Sequence, residues 1–187
     1  MNRPLDTLLS DLRLPGHRAL AAHWLALHDA AGRRIPALSS IDPLQFAPAL
    51  KDAWIVDAEE DGRFRMRLGG ETLTDWYGFS TRGRLYEEMF GPAALPLVTE
   101  QTRRVLQTPC IGYHRVHPEI AERDHTVPAA FERLALPLTD AEGRIRHMIG
   151  ATRFIGRTDP DAAAGAAGSS DAEEVAFWYP LPASIGA

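Results

Sequence analysis

The sequence predicts an α+β domain built on an antiparallel sheet that follows a helical start. Three observations support this prediction. An apolar repeat of helical period runs through residues 17–31. From residue 53 the hydrophobic period becomes two, which is typical of strands with unlike faces. Short loops carrying Asp61-Gly62 and Gly143 then join successive strands, and loops this short require antiparallel pairs.

The chain has 187 residues, of which 45% are hydrophobic and 24% charged. This length and composition fit one globular domain with enough apolar material for a core. We expect an N-terminal tail at 1–16, the domain at 17–156, a flexible Gly/Ala/Ser-rich linker at 157–174 and an aromatic C-terminal tail at 175–187.

Charge and cysteine content exclude several classes of function. The net charge is −5 and acids and bases are interspersed, so no basic face is available for nucleic acid. The single cysteine, Cys110, excludes an internal disulfide and suits a reducing compartment. No apolar run approaches the ~18 residues of a membrane span. We therefore expect a cytoplasmic protein with neither nucleic-acid nor membrane partners.

The first helix carries an apolar stripe of Leu20, Trp24 and Leu27. Because this helix precedes the sheet, we expect the stripe to contact a second copy in a homodimer. Packing within the same chain is the alternative. A second short helix is expected from Asp42, a good N-cap before a proline. Its predicted buried residues are Leu44, Ala47 and Leu50.

The first hairpin spans residues 53–69, and in its second strand apolar residues alternate with arginines. Its predicted core residues are Phe64, Met66 and Leu68. Two short helical segments follow, ETLTDWY closed by Gly78 and then LYEEMF. A longer helix is predicted at 93–107, with its buried side formed by Leu95, Val98, Thr102, Val105 and Leu106.

Three more strands are predicted, CIGYHRV, FERLALPL and RIRHMIGATRFI. In the second of them Glu132 shares a face with leucines, which we expect to point to the core if Arg133 points to water. The last strand has apolar residues of both parities, which a bulge or a doubly covered strand would explain.

The chain resembles the stand-alone bacterial PAS-domain proteins in four separated pieces. They are AAHWLALHDAAGRRIPALSSIDP, RFRMRLGG, DWYGFSTRGRLYEEMF and ERLALPLTDAEGRIRHMIGATRF, which occur in this order within residues 17–156. The resemblance implies a five-stranded antiparallel sheet with helices on one face, forming a cup that senses a small ligand or packs on a partner. It also implies a regulatory role and no catalysis.

The expected function is that of a noncatalytic PAS sensory module in bacterial signalling. No kinase, cyclase or DNA-binding segment accompanies the PAS-like region, so we expect the signal to pass by noncovalent contact with a partner such as a sensor kinase. One alternative is a small enzyme on a cone-shaped α+β fold, with Glu132 or a neighbouring Asp as general base. Another is a structural adaptor without a ligand.

No haem, flavin or metal is expected. A haem-binding PAS domain would place an axial His on or near the helix at 93–107, which has none. A photoactive flavin domain needs a Cys within 71–91, where none occurs. His114 and His117 lie three apart on a strand, so they point to opposite faces and suit no shared ion.

The cup provides the candidate ligand contacts, and Trp76 and Tyr77 are the best of them because they are large aromatics with polar groups. Simple core packing is the alternative for both. Glu132 is a candidate polar anchor for a ligand; its alternative is a hydrogen bond or salt bridge that pins a helix. The other expected lining residues are Trp54, Val56, Phe64, Met66, Leu68, Leu95, Val98 and Leu134.

The C-terminal tail carries Phe177, Trp178 and Tyr179 in succession. Large aromatics are disfavoured in solvated segments, and the preceding linker is long enough to return to the domain. We predict that this segment docks on its own domain or on a neighbouring subunit and covers a partner-binding surface. A tail that orders only when a partner arrives is the alternative.

Overall fold

The computed structural model describes residues 1–92, 94–116, 130–155 and 175–181. The polar stretch at 117–129 and the predicted linker at 157–174 lie outside them. The α-helices are α1 Leu8–Asp11, α2 Pro15–Ala30, α3 Glu71–Tyr77, α4 Tyr86–Met89 and α5 Leu95–Gln107. The strands are β1 Ala53–Ala58, β2 Phe64–Gly69, β3 Cys110–Val116, β4 Phe131–Thr139, β5 Ile145–Phe154 and β6 Val175–Pro180. No helix of the described part combines the length and the apolar character of a bilayer span.

The six strands form one antiparallel sheet in the order β2-β1-β5-β4-β3-β6. The predicted α+β class and the five predicted strands are confirmed. The sixth strand is the aromatic segment, which pairs with β3 along Cys110–Arg115. The described part of this segment therefore docks on its own domain, which is one of the two placements the sequence predicted.

The sheet separates two hydrophobic cores. One core packs α1, α2 and the 3-10 helix Pro43–Ala49 on one face, and the other packs α3, α4 and α5 on the opposite face. Of the two explanations for the mixed parity of β5, double coverage applies: Ile149 belongs to the first core and Met148 to the second. The central strands of the sheet are thus buried on both sides.

The apolar stripe of α2 packs within the chain. Leu20 and Trp24 are fully buried in the first core, and Trp24 Nε1 donates a hydrogen bond to the carbonyl oxygen of Pro137 at 2.9 Å. The predicted dimer contact through Leu20 and Trp24 is wrong, because both residues are buried against the face of the sheet that carries the first core, here called the outer face. Leu27 is half-buried on the same helix.

The second short helix forms as a 3-10 helix with Asp42 as its N-cap, whose Oδ1 accepts a hydrogen bond from the Leu44 amide. Its predicted buried face is wrong: Phe46 and Ala49 are buried, whereas Leu44 is 81% exposed. The backbone kinks at Phe46, with φ −131° and ψ 35°, and this kink breaks the expected periodicity. The other two predicted core positions, Ala47 and Leu50, are exposed as well.

Residues 1–14, expected as part of a tail, pack on the domain. Leu8 and Leu12 are fully buried in the first core. Backbone hydrogen bonds join the first residues to β6, from the Trp178 amide to the Met1 carbonyl at 2.9 Å and from the Arg3 amide to the Trp178 carbonyl at 2.8 Å. The first residues and the C-terminal strand therefore support each other at one edge of the sheet.

Candidate functional site

A cavity of about 40 Å³ lies in the second core, between the inner face of the sheet and helices α3, α4 and α5. This volume holds about three water molecules at roughly 10–15 Å³ each. Nine of the 19 lining residues are Trp, Tyr, Phe or Met. Its residues are Trp54, Met66, Leu73, Tyr77, Tyr86, Met89, Phe90, Val98, Gln101, Thr102, Val105, Gly112, His114, Arg133, Ala135, Met148, Thr152, Phe154 and Trp178.

Two small residues of the sheet, Gly112 and Ala135, line the floor of the cavity. Gly112 of β3 lies directly opposite Ala135 of β4 in the sheet register. A Cβ atom at Gly112 would lie 3.1 Å from the Trp178 ring, so any side chain there would crowd that ring. The glycine therefore makes room for the Trp178 ring, which forms part of the cavity wall.

Most polar groups of the wall have partners within the protein. The hydroxyl groups of Tyr86 and Thr102 share a hydrogen bond of 3.2 Å, and Trp54 Nε1 donates to Thr152 Oγ1 at 2.9 Å. Burial raises the pKa of Tyr86 to about 12, so its hydroxyl stays protonated at neutral pH.

Arg133 brings a charged group to the cavity. It lines the cavity from β4, and its guanidinium carbon lies 4.9 Å from the centre of the Phe131 ring. Burial lowers the pKa of Arg133, while the tyrosines Tyr86 and Tyr77 oppose that shift. Within the described ranges no carboxylate lies within ion-pair distance of this guanidinium.

His114 of β3 is the cross-strand neighbour of Arg133 and also lines the cavity. Its ring meets the Trp178 ring edge to face, with centres 4.8 Å apart. Burial, followed by the charges of Arg133 and Arg104, lowers the pKa of His114 to about 3. The imidazole is therefore neutral at physiological pH and leaves Arg133 as the cation of the described wall.

The predicted faces of β4 are exchanged. Glu132 lies on the first core, where its carboxylate accepts a hydrogen bond from the Tyr113 hydroxyl at 2.9 Å and where burial raises its pKa. Leu134 is fully buried in that same core. The predictions that Glu132 and Leu134 contact a ligand in the cup are wrong, because the leucine face of β4 packs on the N-terminal helices. Arg133, expected in water, faces the cavity instead.

The other predicted ligand contacts separate into two groups. Trp54, Met66, Tyr77 and Val98 line the cavity. Phe64 is buried in the second core beside Tyr86, with ring centres 5.5 Å apart, but behind the lining.

Two predicted contacts are misplaced. Leu68 is 44% exposed because the register shifts between Ile55 and Val56. The shift leaves Arg67 without a residue opposite it in β1 and turns Leu68 to the other face. Trp76 is 43% exposed and stacks on Phe154 at 4.2 Å, outside the cavity. Of the two favoured aromatics, only Tyr77 reaches the ligand space.

Sequence reasoning missed Arg133 and His114 as residues of the cavity wall. One signal could have found them. The mixed parity of β5 is explained by double coverage of the sheet, and β4 pairs with β5. A doubly covered β4 would have placed Arg133 inside the protein.

The three tail aromatics make contacts within the chain. Trp178 lines the cavity, with the Arg104 guanidinium 4.2 Å from its ring centre. The Tyr179 hydroxyl donates a hydrogen bond to the Asp11 carboxylate at 2.8 Å. Phe177 is half-buried beside Tyr113. The segment therefore closes one end of the cavity, and its contact with a partner stays a prediction.

The described residues contain no group of three or more His, Cys, Asp or Glu side chains placed to hold a metal ion. The expectation of no haem, flavin or metal stays a prediction.

A family model described as a PAS domain matches residues 12–153. No curated protein matches the sequence significantly. Six solved chains match the structure, among them the following three at low identity. VqmA bound to DPO has 18% identity and a TM-score of 0.44, covering 62% of this chain and 57% of that one.

A Vibrio cholerae VqmA dimer in the absence of target DNA has 17% identity and a TM-score of 0.43, covering 63% of this chain and 54% of that one. The PAS domain of Bordetella pertussis BvgS has 21% identity and a TM-score of 0.41, covering 63% of this chain and 90% of that one. The match therefore spans less than two thirds of the length of the two VqmA chains.

Proposed function

The chain belongs to the PAS domain family, and we propose that it is a noncatalytic, cytoplasmic sensory module. In this proposal the cavity takes up a small molecule, and the domain reports its presence to a partner protein by contact.

The observation that carries the proposal is the cavity itself. It combines an apolar, aromatic wall with a few polar groups that converge on one space, which is the usual composition of a small-molecule site.

The positions of the acidic groups support a noncatalytic role. Glu132, the candidate general base, is separated from the cavity by the thickness of the sheet and is hydrogen-bonded to Tyr113. The described lining contains no carboxylate, so no acid residue faces Arg133 or His114 as a proton acceptor.

The route from ligand to partner runs through Trp178. This residue lines the cavity, and it also belongs to β6, the last strand at one edge of the sheet. A ligand that displaces the indole would therefore shift an edge of the domain that a partner can contact. We propose that this partner is a signalling protein such as a sensor kinase and that the module acts as a homodimer.

A fragment screen by saturation-transfer NMR tests the proposed ligand site. The purified protein is compared with Ala135→Leu, which fills the floor of the cavity, and with Ala26→Leu, a matched change at an exposed position of α2. We expect fragments that bind the natural protein and Ala26→Leu and that lose binding to Ala135→Leu. Binding that survives in Ala135→Leu, or no binding at all, contradicts the proposal and favours the adaptor.

A further inference from the structure

We infer that the cavity selects an anion: a small carboxylic acid with a flat apolar body, whose carboxylate pairs with Arg133. This inference rests on the proposed function, because it names the ligand class of the same site.

Arg133 brings a positive charge to the cavity wall. The guanidinium lines a mostly apolar cavity, and its described contact is the face of the Phe131 ring. A cation withdrawn from water is costly unless it is paired. A stacked aromatic ring compensates only part of that cost. The free domain therefore holds a positive charge whose partner is missing among the described residues.

The groups next to Arg133 do not neutralise its charge. His114 lies directly across the strand pair and can supply no negative charge. The Tyr86 hydroxyl is engaged with Thr102. An anion entering the cavity thus meets one fixed cation, in a low-dielectric setting where the attraction is strong.

The geometry of the guanidinium favours a carboxylate as the bound anion. A guanidinium offers parallel N–H donors that match the two oxygens of a carboxylate. One cation balances one negative charge, which favours a monoanion over a phosphate dianion. The cavity volume of about 40 Å³ limits the ligand to a small body. Aromatic rings on the wall, including Trp54, Tyr77 and Phe154, suit a flat apolar one.

The test uses matched small probes, acetate with acetamide and acrylate with acrylamide, titrated at neutral pH and followed by NMR. The variant is Arg133→Met, with Arg133→Gln as a second variant. The control is Arg103→Met on the exposed side of α5. We expect an acid to bind the natural protein and Arg103→Met, and to bind both Arg133 variants at least tenfold more weakly. The corresponding amide should differ less than twofold among the four proteins.

The outcomes separate this inference from the proposed function. If the amides bind as well as the acids and Arg133→Met changes neither, while Ala135→Leu abolishes both, the ligand is neutral; the anion inference fails and the sensory site stands. If no acid binds, the anion inference fails, and the fragment screen decides the proposed function. Acid binding that persists in Ala135→Leu places the acid elsewhere and overturns the inference.

Discussion

His114 and Arg133 are directly opposed residues of β3 and β4, and both line the cavity from the same face of the sheet. Burial lowers the pKa of each, and the charge of Arg133 lowers the pKa of His114 further, to about 3. The pair therefore presents one fixed cation beside one neutral imidazole. Register alone produces this arrangement, since the two residues are far apart in the sequence.

Replacing Arg133 with Met should stabilise the free protein. The variant removes a half-buried charge that has no ion pair among the described residues, so we expect the free energy of unfolding to rise by about 1 kcal/mol. Urea unfolding followed by circular dichroism measures it. Arg103→Met should stay within about 0.5 kcal/mol of the natural protein. Destabilisation by Arg133→Met would show that the arginine has a structural role.

His17 should make the fold sensitive to acid. It is fully buried in α2, both its ring nitrogens lack a hydrogen-bond partner in the described structure, and burial lowers its pKa to about 4. Asp52 opposes this shift and Arg153 adds to it. Between pH 6.5 and 4 the unfolded chain therefore binds more protons than the folded one. The contribution of neutral His17 to the free energy of unfolding is fully present above pH 6.5 and is lost as the pH falls toward 4.

The loss attributed to His17 is about 3 kcal/mol by pH 4. Denaturant unfolding at pH 7, 5.5 and 4 should show a shallower decline for His17→Leu than for the natural protein. Parallel declines in the two proteins would assign the acid sensitivity to other groups.

Met66 and Leu68 should differ in their effect on stability, although the sequence places both on one face of a strand. Met66 is buried at 4% exposure, so Met66→Ala should cost about 3 kcal/mol. Leu68 is exposed beyond the bulge, so Leu68→Ala should change the free energy of unfolding by less than about 0.5 kcal/mol. Equal costs would place the bulge elsewhere. Thermal and urea unfolding measure both.

Trp178 should be essential to the edge of the sheet. It is 7% exposed, packed on His114 and beneath Arg104. We expect Trp178→Ala to cost about 4 kcal/mol, whereas Pro180→Ala at an exposed position of the same strand should cost little. Acrylamide quenching, in a folded variant that retains only Trp178, gives an independent check. An indole that is fully accessible to the quencher would contradict the docked strand.

Tyr77 and Trp76 should separate in binding experiments. Tyr77 lines the cavity, whereas Trp76 stacks on the outside of Phe154. For the tightest fragment from the screen, Tyr77→Ala should weaken binding at least fivefold and Trp76→Ala less than twofold. NMR titration gives both dissociation constants. The reverse order would move the ligand to the outer surface of α3.

The sequence determined the elements of this protein, because local patterns set them. The period of two at Phe64 and Met66, the turn at Asp61-Gly62 and the helix stop at Gly78 each depend on neighbours in the chain, and each appears where predicted. The family resemblance added the five-stranded arrangement and the cup, and the match of the PAS model over residues 12–153 confirms the family.

Tertiary structure alone decided which face of each strand or helix packs on the first core and which faces the cavity or the solvent. The N-terminal helices cover the outer face of the sheet, so the leucines of β4 point to them and Arg133 points to the cavity. A single bulge reverses Leu68, and the chain's own sheet covers Trp24. Alternation in a strand shows which residues share a face, but it does not show which neighbouring elements each face contacts. That assignment depends on contacts between residues distant in sequence, and here those contacts place the one charged group of the described cavity wall.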